Sequence, residues 1–263
     1  MPRLRRSPAL LRCRSCRLTF RSEPVHDIVD QRMARDALEQ LGARRQTLYT
    51  AMLGSLQAQR QMGTLLDVGC GNGHFARWVR QYGWRVAALD SSDHLCRQAR
   101  GFGTRNVVRG FAQNLPFPSR RFDVVTLWDV IDHLEEPIPA LMEARRVLRP
   151  GGMLHMRVRN GPVHLALRRN VLVPIAASVM HNLLFSGDSL ANALGVAGFV
   201  DVESDVAPLT RGDPYASPTR RASTALRTFK SLWSAGAKLA SGLTHRHFLL
   251  APSIQAFARR PAD

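Results

Sequence analysis

With 263 residues, 45% of them hydrophobic, the chain is long enough to bury a full core as one large α/β domain with decorated ends. No stretch reaches the ~18 consecutive apolar residues that a membrane-spanning helix requires; the longest, residues 171–185, is broken by Pro174, Ser178, His181 and Asn182. The formal charge is +17, but all of the 37 basic residues except Lys230 and Lys238 are arginine and they run from end to end without an aromatic-interleaved stripe, a pattern of a codon-biased genome more than of a nucleic-acid surface.

Residues 1–24 read as an irregular basic tail, with too few apolar residues before Arg12 for a secretory leader. A cytoplasmic location is the default expectation, and disulfides among Cys13, Cys16, Cys70 and Cys96 are not expected. In residues 25–61, Ile28, Met33, Leu38, Leu41, Leu48, Met52 and Leu56 recur near helical spacing and predict a helical lid, weakly broken at Gly42 and Gly54. From Leu65 the pattern changes to short apolar runs between amphipathic segments. It predicts strands at 64–68, 85–89, 106–109, 122–128 and 153–159, and helices at 74–82, 92–100 and 137–148, the last ended by Arg149-Pro150-Gly151-Gly152. Strands separated by helices give a parallel sheet covered on both faces. Beyond Asn160 come an apolar stretch at 163–185, a helix at 188–197, a strand at 199–204, a loop at 211–219, a basic amphipathic helix at 222–243 and a final strand at 248–258.

The first strand runs into Gly69, Gly71 and Gly73, where absent side chains let backbone N–H groups approach a ligand. The spacing is GxGxG, and His74 occupies the position of the third glycine in the dinucleotide fingerprint GxGxxG, which argues against a hydride-transfer enzyme. Asp67, inside the strand, is costly to bury unless it meets a cation; it would repel a pyrophosphate and hold an ammonium. Asp90 ends the second strand, placed to accept both hydroxyls of a ribose. A ligand with a ribose and an ammonium, and no phosphate in the loop, is S-adenosylmethionine.

Four stretches, LLDVGCGNGHF, VAALD, LPFPSRRFDVVTLWDVIDHLEEP and ARRVLRPGGML, together resemble the class I S-adenosylmethionine-dependent methyltransferases, in the branch of quinone-biosynthesis and glycan- or natural-product-modifying enzymes. The likeness covers about residues 65–160, with weaker echoes in LLFSGDSLANALGVAGF and IQAFARRP. It implies a Rossmann-like, doubly wound, seven-stranded α/β sheet, mostly parallel with an antiparallel last strand. A helical lid precedes a methyltransferase domain at 62–263, with cap insertions at about 161–198 and 211–247. It further implies that Asp67, Gly69, Cys70 and Gly71 surround the methionine end of the cofactor, that Asp90 binds the ribose and that Ser91 lies near the adenine. The family usually carries Asp-Ala before the LPF motif; here the pair is Phe111-Ala112, so the adenine is left to stacking and to Gln113 or the main chain of Ala112.

On the acceptor side, Asp129 follows the fourth strand and is expected to position cofactor or substrate. His133, where the family often has Glu-His, is the candidate general base, with Asp132 orienting it; a capping role for His133 is the competing reading. His164 and His181 are further candidates whose commoner role is structural. The stretch RCRSCRLTF carries Cys13 and Cys16, half of a tetrahedral zinc site. Related glycan-cluster methyltransferases carry two such pairs; this chain has one, so the pair is read as a remnant, or as the product of a mis-set start codon, and no metal is expected.

The resulting expectation is methyl transfer to a small-molecule oxygen, on a sugar, quinone, lipid or polyketide, bound by the lid and residues 163–185. Two alternatives stand beside it. One is a catalytically weak S-adenosylmethionine-binding protein on an anionic membrane, motivated by Phe111 and by Arg227, Lys230 and Lys238 beside Leu226, Phe229, Leu232 and Trp233. The other, an RNA methyltransferase, rests on charge alone.

Overall fold

The computed structural model describes residues 10–24, 49–50, 54, 63–168, 181–207, 224–244 and 249–262. Most of the predicted lid, the predicted loop at 211–219 and residues 169–180 of the apolar cap lie outside them.

The elements follow in the order β1 (Leu10–Arg12), β2 (Thr19–Arg21), β3 (Thr64–Val68), α1 (His74–Arg80), β4 (Arg85–Asp90), α2 (Asp93–Gly101), β5 (Val107–Arg109) and β6 (Phe122–Trp128). A 3-10 turn (Ile131–His133) leads to α3 (Pro137–Val147), β7 (Leu148–Arg159), α4 (Gly161–Arg168), β8 (Leu183–Leu184), α5 (Gly187–Val196), β9 (Val200–Val206), α6 (Thr224–Leu243) and β10 (Ser253–Arg259). Seven strands make the main sheet in the order β5-β4-β3-β6-β7-β10-β9. Neighbours from β5 to β7 pair parallel, and β10 runs antiparallel between β7 and β9. This is the architecture expected from the resemblance, including the reversed last strand.

Local chemistry accounts for the helix starts. Ser92 caps α2 by accepting from Leu95 N, and Ser186 with Ser189 forms a reciprocal capping box on α5. Pro137 opens α3, where its missing N–H costs nothing. Ala140, Leu141, Ala144 and Val147 then recur at helical spacing and are buried, each large apolar side chain contributing about 1.5–3 kcal/mol.

Both faces of the sheet are covered. Leu66, Val68, Val125, Leu127, Leu154 and Met156 pack in one core with residues of α3 and α5. Leu65, Val86, Ala88 and Val124 pack in the other with Phe75, Ala76 and Val79 of α1 and with Tyr49.

Three sequence expectations need correction. The tail is not irregular throughout: β1 and β2 form an antiparallel hairpin whose second strand pairs with β8, giving a small three-stranded sheet. Three-residue strands carry no period that a sequence reading can detect. β7 begins at Leu148, five residues early, because the Pro-Gly-Gly turn is absorbed as an irregularity in its pairing with β6. β10 begins at Ser253 rather than 248; Asn160 Nδ2 instead donates to the carbonyls of Leu249 and Ala251, holding that segment out of the ladder.

Candidate functional site

The carboxyl ends of β3, β4 and β6 meet where the strand order reverses, the crevice in which open α/β sheets bind ligands. The loop after β3 holds Gly69, Gly71 and Gly73 at φ of 73°, 57° and 79°, all left-handed. A Cβ on Gly69 would lie 2.3 Å from Val130 Cγ2, whereas one on Gly71 would meet nothing within 4 Å. Gly69 is therefore required by packing, and Gly71 borders open space.

Asp90 braces this loop. One carboxylate oxygen accepts from Gly71 N and the other from Ser92 N, both at 2.9 Å. Burial raises its pKa, with these backbone donors opposing the shift. Asp67 is 2% exposed; Thr126 Oγ1 donates to its Oδ1 at 2.8 Å, and Oδ2 has no hydrogen-bond partner among the described residues. Burial, helped by the charge of Asp90, pushes its pKa up to about 7. Cys70 is buried in the same loop, and burial raises its thiol pKa far above the usual range, so it is a neutral wall. Ser91 is exposed beside Asp90, and the turn from Phe111 to Asn114 places Ala112 buried, Gln113 half-buried and Phe111 61% exposed.

At the end of β6, Asp129 adopts a left-handed φ of 53°, an uncommon conformation for a residue with a side chain. Arg157 Nη1 grips both its carboxylate oxygens at 2.9 and 2.7 Å, and Arg157 Nη2 donates to Ser253 Oγ. With Arg157 only 2% exposed in its side chain, the Asp129 carboxylate is held in a buried ion pair.

Asp132 is completely buried, and burial raises its pKa. His181 Nε2 lies 3.6 Å from Asp132 Oδ2, and the rings of His133 and His181 are 4.5 Å apart. The segment before β8 is clamped here: Asn182 N and Nδ2 donate to the carbonyls of Asp132 and His133, and Arg21 Nε donates to that of His181. Arg159 Nε donates to His181 Nε2 at 2.6 Å. His164, in contrast, has its Nε2 3.1 Å from the Pro252 carbonyl.

The structure thus brings Asp132, His133 and His181 together and sets Asp67, Asp90 and the glycines side by side. Sequence reasoning missed Arg21, Arg157 and Arg159. The last two carried a signal: alternate arginines at the carboxyl end of a strand point to one side. Arg21 carried none, because its contact depends on the hairpin.

Residues 66–156 match the model of the methyltransferase-domain family. Demethylmenaquinone methyltransferase of Geobacillus kaustophilus is 29% identical over 175 residues, 56% of this chain and 74% of that protein. Ubiquinone biosynthesis O-methyltransferase of Caulobacter vibrioides is 30% identical over 115 residues, 41% of this chain and 45% of that protein. Among solved structures, a SAM-dependent methyltransferase of Thermotoga maritima aligns over 87% of this chain and 97% of its own with a TM-score of 0.60 at 18% identity. The chain spans about three quarters of the first relative and under half of the second. It has the class I S-adenosylmethionine-dependent methyltransferase fold. No described helix is long and apolar enough to cross a membrane.

Proposed function

We propose that the protein transfers the methyl group of S-adenosylmethionine to an oxygen of a small-molecule acceptor. The observation that carries the cofactor part is Asp67, a buried carboxylate with one unpartnered oxygen beside a loop of left-handed glycines. An ammonium satisfies that oxygen; a pyrophosphate does not. Asp90 keeps lone pairs free for ribose hydroxyls while its backbone bonds hold the loop in shape. Ala112 and Gln113 take the adenine edge. The cofactor supplies a methyl group on a sulfonium, which leaves as a neutral thioether.

Placement of the acceptor in line can therefore supply most of the catalysis, and the chain's task is to position the acceptor oxygen and see its proton removed. Asp132 and His133, in the 3-10 turn that follows β6, are assigned to that end in this reading. Two relatives named for quinone metabolism support a small acceptor, and the one named an O-methyltransferase supports oxygen as the atom methylated. Calorimetry with S-adenosylmethionine tests the reading: binding is expected for the wild type and its loss for Asp90→Ala, and absence of wild-type binding sinks it.

A second reading, docking on an anionic membrane, is supported by α6, where Leu232, Leu239 and Leu243 are 68%, 65% and 74% exposed at spacings that align them on one side. Trp233 is not part of that stripe; its Nε1 donates to the Leu250 carbonyl and its ring joins Val206 and Ala251. Co-sedimentation with anionic vesicles tests this.

A further inference from the structure

Three ligand-bearing side chains converge beside the end of β6. Asp132 and His133 come from the 3-10 turn and His181 from just before β8, and one ligand atom from each lies within 4.8 Å of the others. Asp132 is wholly enclosed, and neither of its carboxylate oxygens has a hydrogen-bond partner among the described residues. A carboxylate left that way costs several kcal/mol unless a cation meets it, on the order of the penalty for any unpaired buried charge. His133 is the half-buried member, so the cluster opens to solvent on its side.

We propose that Asp132, His133 and His181 form a binding site for a divalent transition metal of the zinc, iron(II), manganese and cobalt class. Two imidazoles and one carboxylate suit such ions and leave further coordination positions open. Hard cations that demand an all-oxygen shell fit this donor set poorly. The inference deepens the methyl-transfer reading, on which it rests only for the use made of the metal. An acceptor hydroxyl drawn to the open side is made more acidic and releases its proton to solvent. The oxygen's lone pair then forms the new bond to the methyl carbon, the carbon–sulfur bond breaks, and sulfur keeps that electron pair. His133 acts in this account as a ligand, which replaces the free general base expected from the sequence.

The charged groups around the cluster decide how tightly a metal is held. The Asp129 carboxylate is taken by Arg157, and the Arg21 guanidinium faces the His181 carbonyl. Arg159 is the competitor, because its Nε donates to His181 Nε2, the lone pair a metal would use. Half-buried at the end of β7, its side chain can swing to water when a cation replaces it.

The test uses the full-length, cofactor-free protein stripped with a chelator. It is dialysed against zinc for metal analysis and titrated with cobalt(II) while visible absorption is followed. About one ion per chain is expected, with a nitrogen–oxygen cobalt spectrum. Asp132→Asn and His181→Ala should each weaken binding by more than roughly 100-fold, beyond the loss typical of an outer-shell change, and Arg159→Gln should strengthen it. Cys13→Ser/Cys16→Ser should bind as the wild type does. No bound metal, retention by His181→Ala, or loss in the cysteine variant overturns the proposal. Calorimetry with S-adenosylmethionine on each variant reports folding independently. If the cofactor binds and metal does not, the site fails and the methyl-transfer reading stands; if the cofactor does not bind the wild type, that reading fails whatever the metal does.

Discussion

In the ligand-free protein Asp67 keeps its proton up to about pH 7, because its unpartnered oxygen has been taken out of water. An aspartate in an unfolded chain ionises near 4, so the folded chain prefers the neutral form. That preference contributes stability fully below about pH 4 and is lost as pH rises through about 7. A bound ammonium reverses it, since the carboxylate is then the better partner. Affinity for S-adenosylmethionine should therefore fall about tenfold per pH unit below 7, and it should fall again above about 8, where an α-amino group loses its charge. Calorimetry from pH 5 to 9 checks the bell shape; a flat profile would remove Asp67 from the cofactor site. Asp67→Asn should abolish the acid limb and raise the melting temperature of the ligand-free protein by a few degrees at pH 8, about 1–2 kcal/mol.

Among the elements, the loop between β3 and α1 separates packing from binding within three alternate glycines. Gly71→Ala places a methyl group where nothing lies within 4 Å, at a φ of 57° that costs about 1–2 kcal/mol. The fold should survive and cofactor binding should weaken by at least roughly tenfold, because the methyl group enters the ligand's space. Gly69→Ala adds a 2.3 Å contact with Val130 to the same backbone penalty and should lower the melting temperature more. Equal effects of the two on melting would contradict this division.

The small sheet of β1, β2 and β8 shows the limit of reading elements one at a time. Its strands are three residues or fewer, and the local β1–β2 hairpin is completed only by pairing of β2 with β8 across more than 160 residues of chain. Periodicity predicted β6 to the residue and the starts of α1 and α3, because those elements bury one or both faces repeatedly. It missed the hairpin, which leaves no repeating pattern.

Over the whole molecule, charge and the exposed α6 stripe bear on one question. A net charge of +17 favours any anionic surface, while three aligned leucines favour only an apolar one. Vesicles containing phosphatidylserine should sediment the protein at low salt. If α6 inserts, a fraction should persist at high salt and disappear in Leu239→Glu/Leu243→Glu. Complete release by salt in the wild type would reduce the contact to nonspecific charge.

The order of strands and helices, the glycine loop and the two acidic residues that flank it were set by local rules: side-chain period, capping chemistry and the cost of burying a lone carboxylate. Asp67 and Asp90 were legible for that reason, since each sits within a few residues of a strand end. Which histidine joins Asp132 was not, because His181 lies 49 residues away and arrives through β8, its carbonyl fixed by Arg21 of the hairpin. Contacts of that kind are decided by how distant segments pack. The cluster proposed for the acceptor side therefore belongs to the tertiary structure, as the residues proposed for the cofactor side belong to the sequence.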